Sequence, residues 1–332
     1  MVAYTGIQGQ NILIVSSDPS NPTEGQIWYN STSNLLKGYQ NVVVAAAWAS
    51  GGNLNTARYY MGGMGTQTAA LAATGQVPPG GANTTAVEEY DGTSWTSGGS
   101  VPTGQRELGP AGTQTAAAIF GGVNPGGTII ATTQEYDGST WSPGGSMSTA
   151  RALLGGTGTQ TAALGFGGYL YPGNSSATEE YDGSAWTTGG NLINARNTAA
   201  GAGTQTAGLA VGGPGVSVLT EEYDGTSWTA GGNLNTGRGR GGIAGSQTSA
   251  VFYGGAPPAT GATELYNGTA WTSNPSNMGT ARYSLGGLGN SGSQTSALGF
   301  GGTNSGLPGM QSATEEWTGA SSSLQTRTIT TS

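Results

Sequence analysis

Along residues 151–196 the apolar positions fall in short runs and never at helical spacing. Thr161 to Phe166 is a stretch of small and apolar residues closed by Gly167-Gly168, and Ala177 to Tyr181 leads into Asp182-Gly183 and then Ser184 to Thr187. Short β-prone runs bounded by Gly, Asp and Ser predict strands. Gly158-Thr159-Gln160 reads as a turn between the Gly/Ala/Leu segment after Arg151 and the run that follows. Asp182-Gly183 between two such runs predicts a type I′ hairpin, whose central residues both need positive φ. The unit is therefore four short strands in a meander, ending in Gly189-Gly190 and a loop from Asn191 to Arg196. No helical period appears elsewhere, so the expected class is all-β.

The same pattern recurs six times. The Gln of the turn falls at Gln67, Gln114, Gln160, Gln205, Gln247 and Gln294, at successive intervals of 47, 46, 45, 42 and 47 residues. Four-stranded units at a period near 45 residues are the signature of propeller blades. The third-strand aromatic occurs at Tyr90, Tyr136, Tyr181, Tyr223, Tyr266 and Trp317, and the fourth-strand Trp at Trp48, Trp95, Trp141, Trp186, Trp228 and Trp271. The two series are out of phase: Trp48 precedes the first complete unit and no Trp follows Trp317. The economical solution is a six-bladed ring in which the strand around Trp48 completes the sheet begun around Trp317, which removes two sheet edges.

Gly-Gly after the second strand, Glu-x-Tyr-Asp in the third, Trp five residues after the Tyr, and a loop running to Arg resemble the kelch repeat over roughly residues 42 to 320. The resemblance implies a kelch-type β-propeller. The chain departs from the usual pattern in its small inner strands and in Glu where an apolar residue often precedes the Tyr. The expected division is an N-terminal docking segment over 1–40 and a propeller over 41–332.

Composition narrows the chemistry. Glycine is 64 of 332 residues, without a three-residue period, which excludes collagen and fits many short strands joined by tight turns. The net charge is −8 and the single lysine is Lys37, so sustained contact with nucleic-acid phosphates is not expected. No apolar run reaches the ~20 residues of a membrane span, and the first ten residues lack a secretory pattern. With no His and no Cys, the chain has no Ser-His-Asp or Cys-His nucleophile and no conventional zinc site. A non-enzymatic protein without cofactor or metal is the expectation. A glycosidase using an aspartate pair stays open on residue types, yet the acids outside the repeats are only Asp18, Glu24 and Glu107.

Most repeated residues read as architecture. Each Trp or Tyr can bury ~150–250 Å², roughly 4–6 kcal/mol as an upper bound, and Gly- and Ala-rich strands offer little else to pack. Glu179 and Glu180 are adjacent in a strand, so they point to opposite faces and cannot converge on one substrate. The loop arginines Arg58, Arg106, Arg151, Arg196, Arg238 and Arg282 lie ten or eleven residues after each Trp. One acid and one Arg per blade predict repeated ion pairs rather than an anion-binding ring. The Asp of Asp-Gly reads as a turn former rather than a calcium ligand.

What fails to repeat is the place to look for function. Between Gly-Gly and the third strand each blade has its own loop: 74–85, 123–130, 169–176, 214–218, 256–261 and 303–312. A constant scaffold with variable loops has the form of a recognition surface, although loops also drift without purpose. Its candidate residues are Tyr169, Tyr171, Arg240, Leu307 and Met310, with Arg240 the cation that breaks the blade pattern. The segment Glu24 to Tyr39 (Glu-Gly-Gln-Ile-Trp-Tyr-Asn-Ser-Thr-Ser-Asn-Leu-Leu-Lys-Gly-Tyr) reads as an aromatic hairpin. It is similar to segments in tail-fibre and other structural proteins of tailed bacteriophages, as is the ending Thr328-Ile329-Thr330-Thr331. That resemblance implies a virion protein on tail, fibre, neck or capsid, present in several copies, docked onto other virion proteins through Ile27, Trp28, Tyr29, Leu35 and Tyr39. The outward partner is then a host-surface glycan or protein. The alternative is a free bacterial glycan- or protein-binding kelch propeller.

Overall fold

A computed structural model describes residues 12–289, 291–304 and 309–330. The described residues are all-β, and the chain divides into two compact units, 1–46 with 320–332, and 47–319. The expected boundary after residue 40 moves because the strand Leu35–Val44 continues without a break and pairs along its length with Ser321–Thr328, from Lys37↔Thr328 to Val44↔Ser321. The C-terminal strand therefore belongs with the N-terminal segment.

In the smaller unit Ile27–Asn30 and Leu35–Gly38 form the expected hairpin, and Leu13–Val15 adds a parallel strand beside Ile27–Asn30. Asp18 organises it. Its carboxylate accepts from Lys37 Nζ at 2.7 Å, Asn30 Nδ2 at 2.7 Å and Trp28 Nε1 at 3.0 Å. These donors, Lys37 first, hold the Asp18 carboxyl down at about 2.

Among the described residues the larger unit contains five four-stranded antiparallel sheets, one per repeat, each in meander order from an inner glycine-rich strand to an outer Trp strand. A sixth sheet is built from both ends of the unit: Ser296–Phe300 pairs with Thr314–Thr318, which pairs with Ala47–Ser50, and Trp317 lies opposite Trp48. The Tyr–Trp pair at the third turn is directly cross-strand, as in Tyr181↔Trp186. The loop between them thus has four residues, not two, and the type I′ expectation fails. Only the glycine takes positive φ (Gly183, +91°), while Asp182 Oδ1 captures the amides of Ser184 and Ala185, both at 2.8 Å. These hydrogen bonds hold the Asp182 carboxyl below its ordinary range, and the carboxylate stabilises an Asx-type loop.

Three kinds of side-chain tie join the sheets in sequence, and the turn Gln makes its tie in all six repeats. The turn Gln donates to two backbone carbonyls: Gln205 Nε2 reaches Ala163 O at 3.1 Å and Tyr181 O at 2.7 Å. The indole N–H reaches a threonine, as Trp228 does with Thr178 Oγ1 at 2.9 Å, except that Trp141 donates to Gly99 O at 2.8 Å. The phenol donates to a carboxylate, as Tyr136 does with Glu89 at 2.6 Å. The first repeat makes the same ties to the last: Gln67 to Ala297 O and Trp317 O, Trp95 to Thr314, and Tyr90 to Glu316. The inner strands meet through bare backbone; a Cβ on Gly63 would lie 2.6 Å from Gly287 O, so any side chain there would push the first and last inner strands apart.

Candidate functional site

The loop arginines are architecture. Arg58, Arg151, Arg196, Arg238 and Arg282 are buried, and each pairs with the first Glu of its third strand: Glu88, Glu179, Glu221, Glu264 and Glu315. Arg151 Nη2 meets Glu179 at 2.9 Å, while its Nη1 donates to Gly167 O and Ala177 O, each at 2.7 Å. Burial pushes the Arg151 guanidinium down and Glu179 opposes it. The ion pairs form in five repeats, and the second repeat corrects the expectation for Arg106. There the buried position is held by Gln105, at 0% exposure, and its partner is Gln134, whose Nε2 donates to Gln105 Oε1 at 3.0 Å. A neutral amide pair replaces the ion pair, and Arg106 is displaced outward to meet Glu107 at 3.5 Å.

Two residues beyond each buried Arg or Gln the backbone enters the left-handed region without glycine. The residues are Tyr60 (φ 55°), Glu107 (60°), Leu153 (53°), Thr198 (55°), Arg240 (60°) and Ser284 (51°). Such a conformation costs a non-glycine residue roughly 1–2 kcal/mol, so something must hold it. What holds it is a cycle of backbone hydrogen bonds. Glu107 N donates to Tyr60 O (3.1 Å), Leu153 N to Glu107 O (2.7 Å), Thr198 N to Leu153 O (2.8 Å) and Arg240 N to Thr198 O (3.1 Å). Ser284 N donates to Arg240 O (2.7 Å), and Tyr60 N returns to Ser284 O (3.1 Å). Six equivalent backbone positions thus present six different side chains.

These side chains line a cavity of about 100 Å³ that also includes the next residue of each inner strand, among them Leu108, Leu154 and Leu285. A narrow channel of about 120 Å³ continues between the inner strands. At the mouth the Arg240 guanidinium stands 5.8 Å from the Tyr60 ring centroid. Burial pushes the Tyr60 phenol and the Glu107 carboxyl up; Arg240 opposes both shifts, and Arg106 also opposes that of Glu107. Thr198 is 8% exposed and its hydroxyl has no hydrogen-bond partner among the described residues. A further cavity of about 420 Å³ shares Thr198 and Arg240 and extends to Tyr283, Pro257 and Pro258.

The recognition-face candidates scatter. Tyr169 pairs by backbone with Ala152, next to the cycle, and Arg240 belongs to the cycle itself. Tyr171 is 84% exposed at its loop tip. Met310 is buried, at 8% exposure, a correction to its reading as a surface residue. Leu307 lies outside the described residues. Among the docking candidates Trp28 is fully buried with its N–H taken by Asp18, so it is core to its unit rather than a docking contact. Ile27 and Tyr39 line a cleft of about 360 Å³ with Arg327 and Ile329, Tyr29 is half-buried, and Leu35 is exposed.

Sequence reasoning missed the cycle because Tyr, Glu, Leu, Thr, Arg and Ser share no property. The one available signal was their fixed spacing from the buried Arg or Gln.

No family model and no curated protein matches the chain. Among solved structures it is similar to YjhT, a kelch/β-propeller-like protein, with a TM-score of 0.63 and 15% identity over 82% of this chain and 99% of that one. At that identity the likeness speaks for the fold alone. The chain has a β-propeller-like fold.

Proposed function

We propose that residues 47–319 form a closed, six-bladed kelch-type propeller that serves as a non-enzymatic display module of a tailed-bacteriophage virion. The observation that carries this reading is the hydrogen-bonded cycle. Six steps return to the starting residue, and a constant backbone offers a different side chain at each step. A uniform scaffold with varied chemistry at one mouth suits recognition better than turnover, since binding surfaces are built by variation on a fixed frame. The pairing of Ala47–Ser50 with Thr314–Thr318 supports closure, and the ties from Gln67, Tyr90 and Trp95 support the count of six.

The virion assignment rests on the Glu24–Tyr39 segment and its resemblance to phage structural proteins. In this reading the smaller unit docks on other virion proteins through the exposed Leu35 and the cleft holding Ile27 and Tyr39. The propeller then faces a host-surface glycan or protein, in several copies per particle. Mass spectrometry of purified particles tests the assignment, with the chain expected at stoichiometric levels. Consistent absence from particles, with binding retained by the isolated protein, would leave a free binding propeller instead.

A further inference from the structure

The chain carries a net charge of −8, yet the mouth of the cycle holds the cation Arg240 beside a single acid, Glu107, which is already paired with Arg106. Of the described cations, Lys37 and six arginines are engaged with carboxylates, Arg106 among them. Arg240 forms no ion pair among the described residues, and its side chain is exposed where the two cavities meet. A guanidinium left without a carboxylate in an acidic protein has a vacant fork for one, and bidentate Arg–carboxylate pairing is both strong and directional.

The surroundings restrict the partner further. Thr198, buried and adjoining both cavities, has a hydroxyl with no hydrogen-bond partner among the described residues, and an unsatisfied buried polar group calls for one from a ligand or water. The Tyr283 side chain and Pro257-Pro258 give the larger cavity apolar walls. Its volume of about 420 Å³ falls within the range of small-molecule sites. A protein segment is a poorer match, because a short open groove with one cation offers no sheet edge or long apolar trough for a chain to follow.

We propose that Arg240, Thr198 and Tyr283 form a binding site for a hydroxylated carboxylate of monosaccharide size, with the carboxylate on Arg240 and a ligand hydroxyl on Thr198. Glu107, on the opposite side of the cycle from Arg240, disfavours a second negative charge deep in the mouth. The site is therefore selective for a single carboxylate at the groove. This deepens the display role proposed above but does not depend on particle membership, so particle mass spectrometry and the binding measurement below can fail separately.

The test is titration calorimetry of the full chain with glucuronate, glucose and inorganic phosphate at low and physiological salt. Glucuronate is expected to bind at least about tenfold more tightly than glucose, the margin a charge-assisted pair supplies. Arg240→Gln is expected to erase that margin, while Arg327→Gln, at the other cation with no ion pair among the described residues, leaves it intact. Thr198→Val should weaken glucuronate and glucose alike. Equal binding of glucuronate and glucose, stronger binding of phosphate than of glucuronate, or a margin that survives Arg240→Gln would each overturn the assignment. So would no binding by a protein whose thermal transition shows it folded.

Discussion

At the scale of single residues the repeats reveal their rules where two positions change together. Arg and Glu are replaced by Gln105 and Gln134 in the same repeat. Leu265 stands where the other repeats have the carboxylate that accepts from the next phenol, and the next aromatic is Trp317, which donates its N–H to Gln294 O at 2.8 Å instead. A buried charge without its partner is expensive, whereas a neutral pair of similar shape is tolerated. Glu179→Gln alone, leaving Arg151 buried and uncompensated, should therefore cost about 3–5 kcal/mol in chemical denaturation. Adding Arg151→Gln should recover a large part of that loss. A double-mutant cycle showing simple additivity would mean the two side chains do not act as a pair. Thr74 is a second informative exception. It holds φ +59° where Gly121, Gly167 and Gly301 sit in other repeats, and its buried hydroxyl has no partner among the described residues. Thr74→Gly relieves the strain and the stranded hydroxyl at some cost in chain entropy, and should raise stability by about 1 kcal/mol.

At the scale of elements, stability is concentrated in the contacts between sheets. Tyr90, Tyr136, Tyr181, Tyr223 and Tyr266 are each pushed up to about 12, first by burial and then by the carboxylate that accepts their hydrogen bond. A phenol at about 12 in the fold and near 10 in the unfolded chain favours folding in its protonated form. That contribution is complete below about pH 10 and disappears as pH rises from about 10 to 12. Melting temperature should fall steeply across that window, and less steeply in Tyr181→Phe. The smaller unit has the opposite dependence: Asp18, held at about 2, supports it above about pH 4 and ceases to do so as pH falls toward 2. Acid titration followed by Trp28 fluorescence, compared with Asp18→Asn, checks the assignment. Elements of this kind were largely legible in advance. Short β runs, Gly-Gly and the out-of-phase Trp and Tyr series set the sheets and the Trp48–Trp317 pairing. The four-residue Asx loop was not legible, because Asp-Gly serves both turn types and the choice depends on which residues pair across the strands. Nor was Gln105 in place of Arg106, since a spacing of ten or eleven admits either and only burial decides.

At the scale of the whole molecule the question is whether the two ends of the larger unit act as one sheet. Trp48 contributes from the outer strand Ala47–Ser50, with its ring 5.4 Å from Trp317 and 4.9 Å from Tyr253, and its N–H on Thr263 Oγ1 at 2.9 Å. The equivalent Trp228, in the middle of the sequence, packs on Tyr223 and Phe166 and donates to Thr178. In a linear array of repeats a terminal strand frays, and a cavity made there leaves the remaining repeats nearly unaffected. In a closed ring no repeat is terminal, so removing either indole should weaken the same cooperative transition. Trp48→Ala and Trp228→Ala are each expected to cost about 3–5 kcal/mol, with one transition retained in both. A near-native melting temperature for Trp48→Ala beside a large loss for Trp228→Ala would show that the last sheet is held only at its edge. In that case the hydrogen-bonded cycle could not keep Tyr60 next to Ser284, and the mouth that Arg240 faces would lose one of its walls.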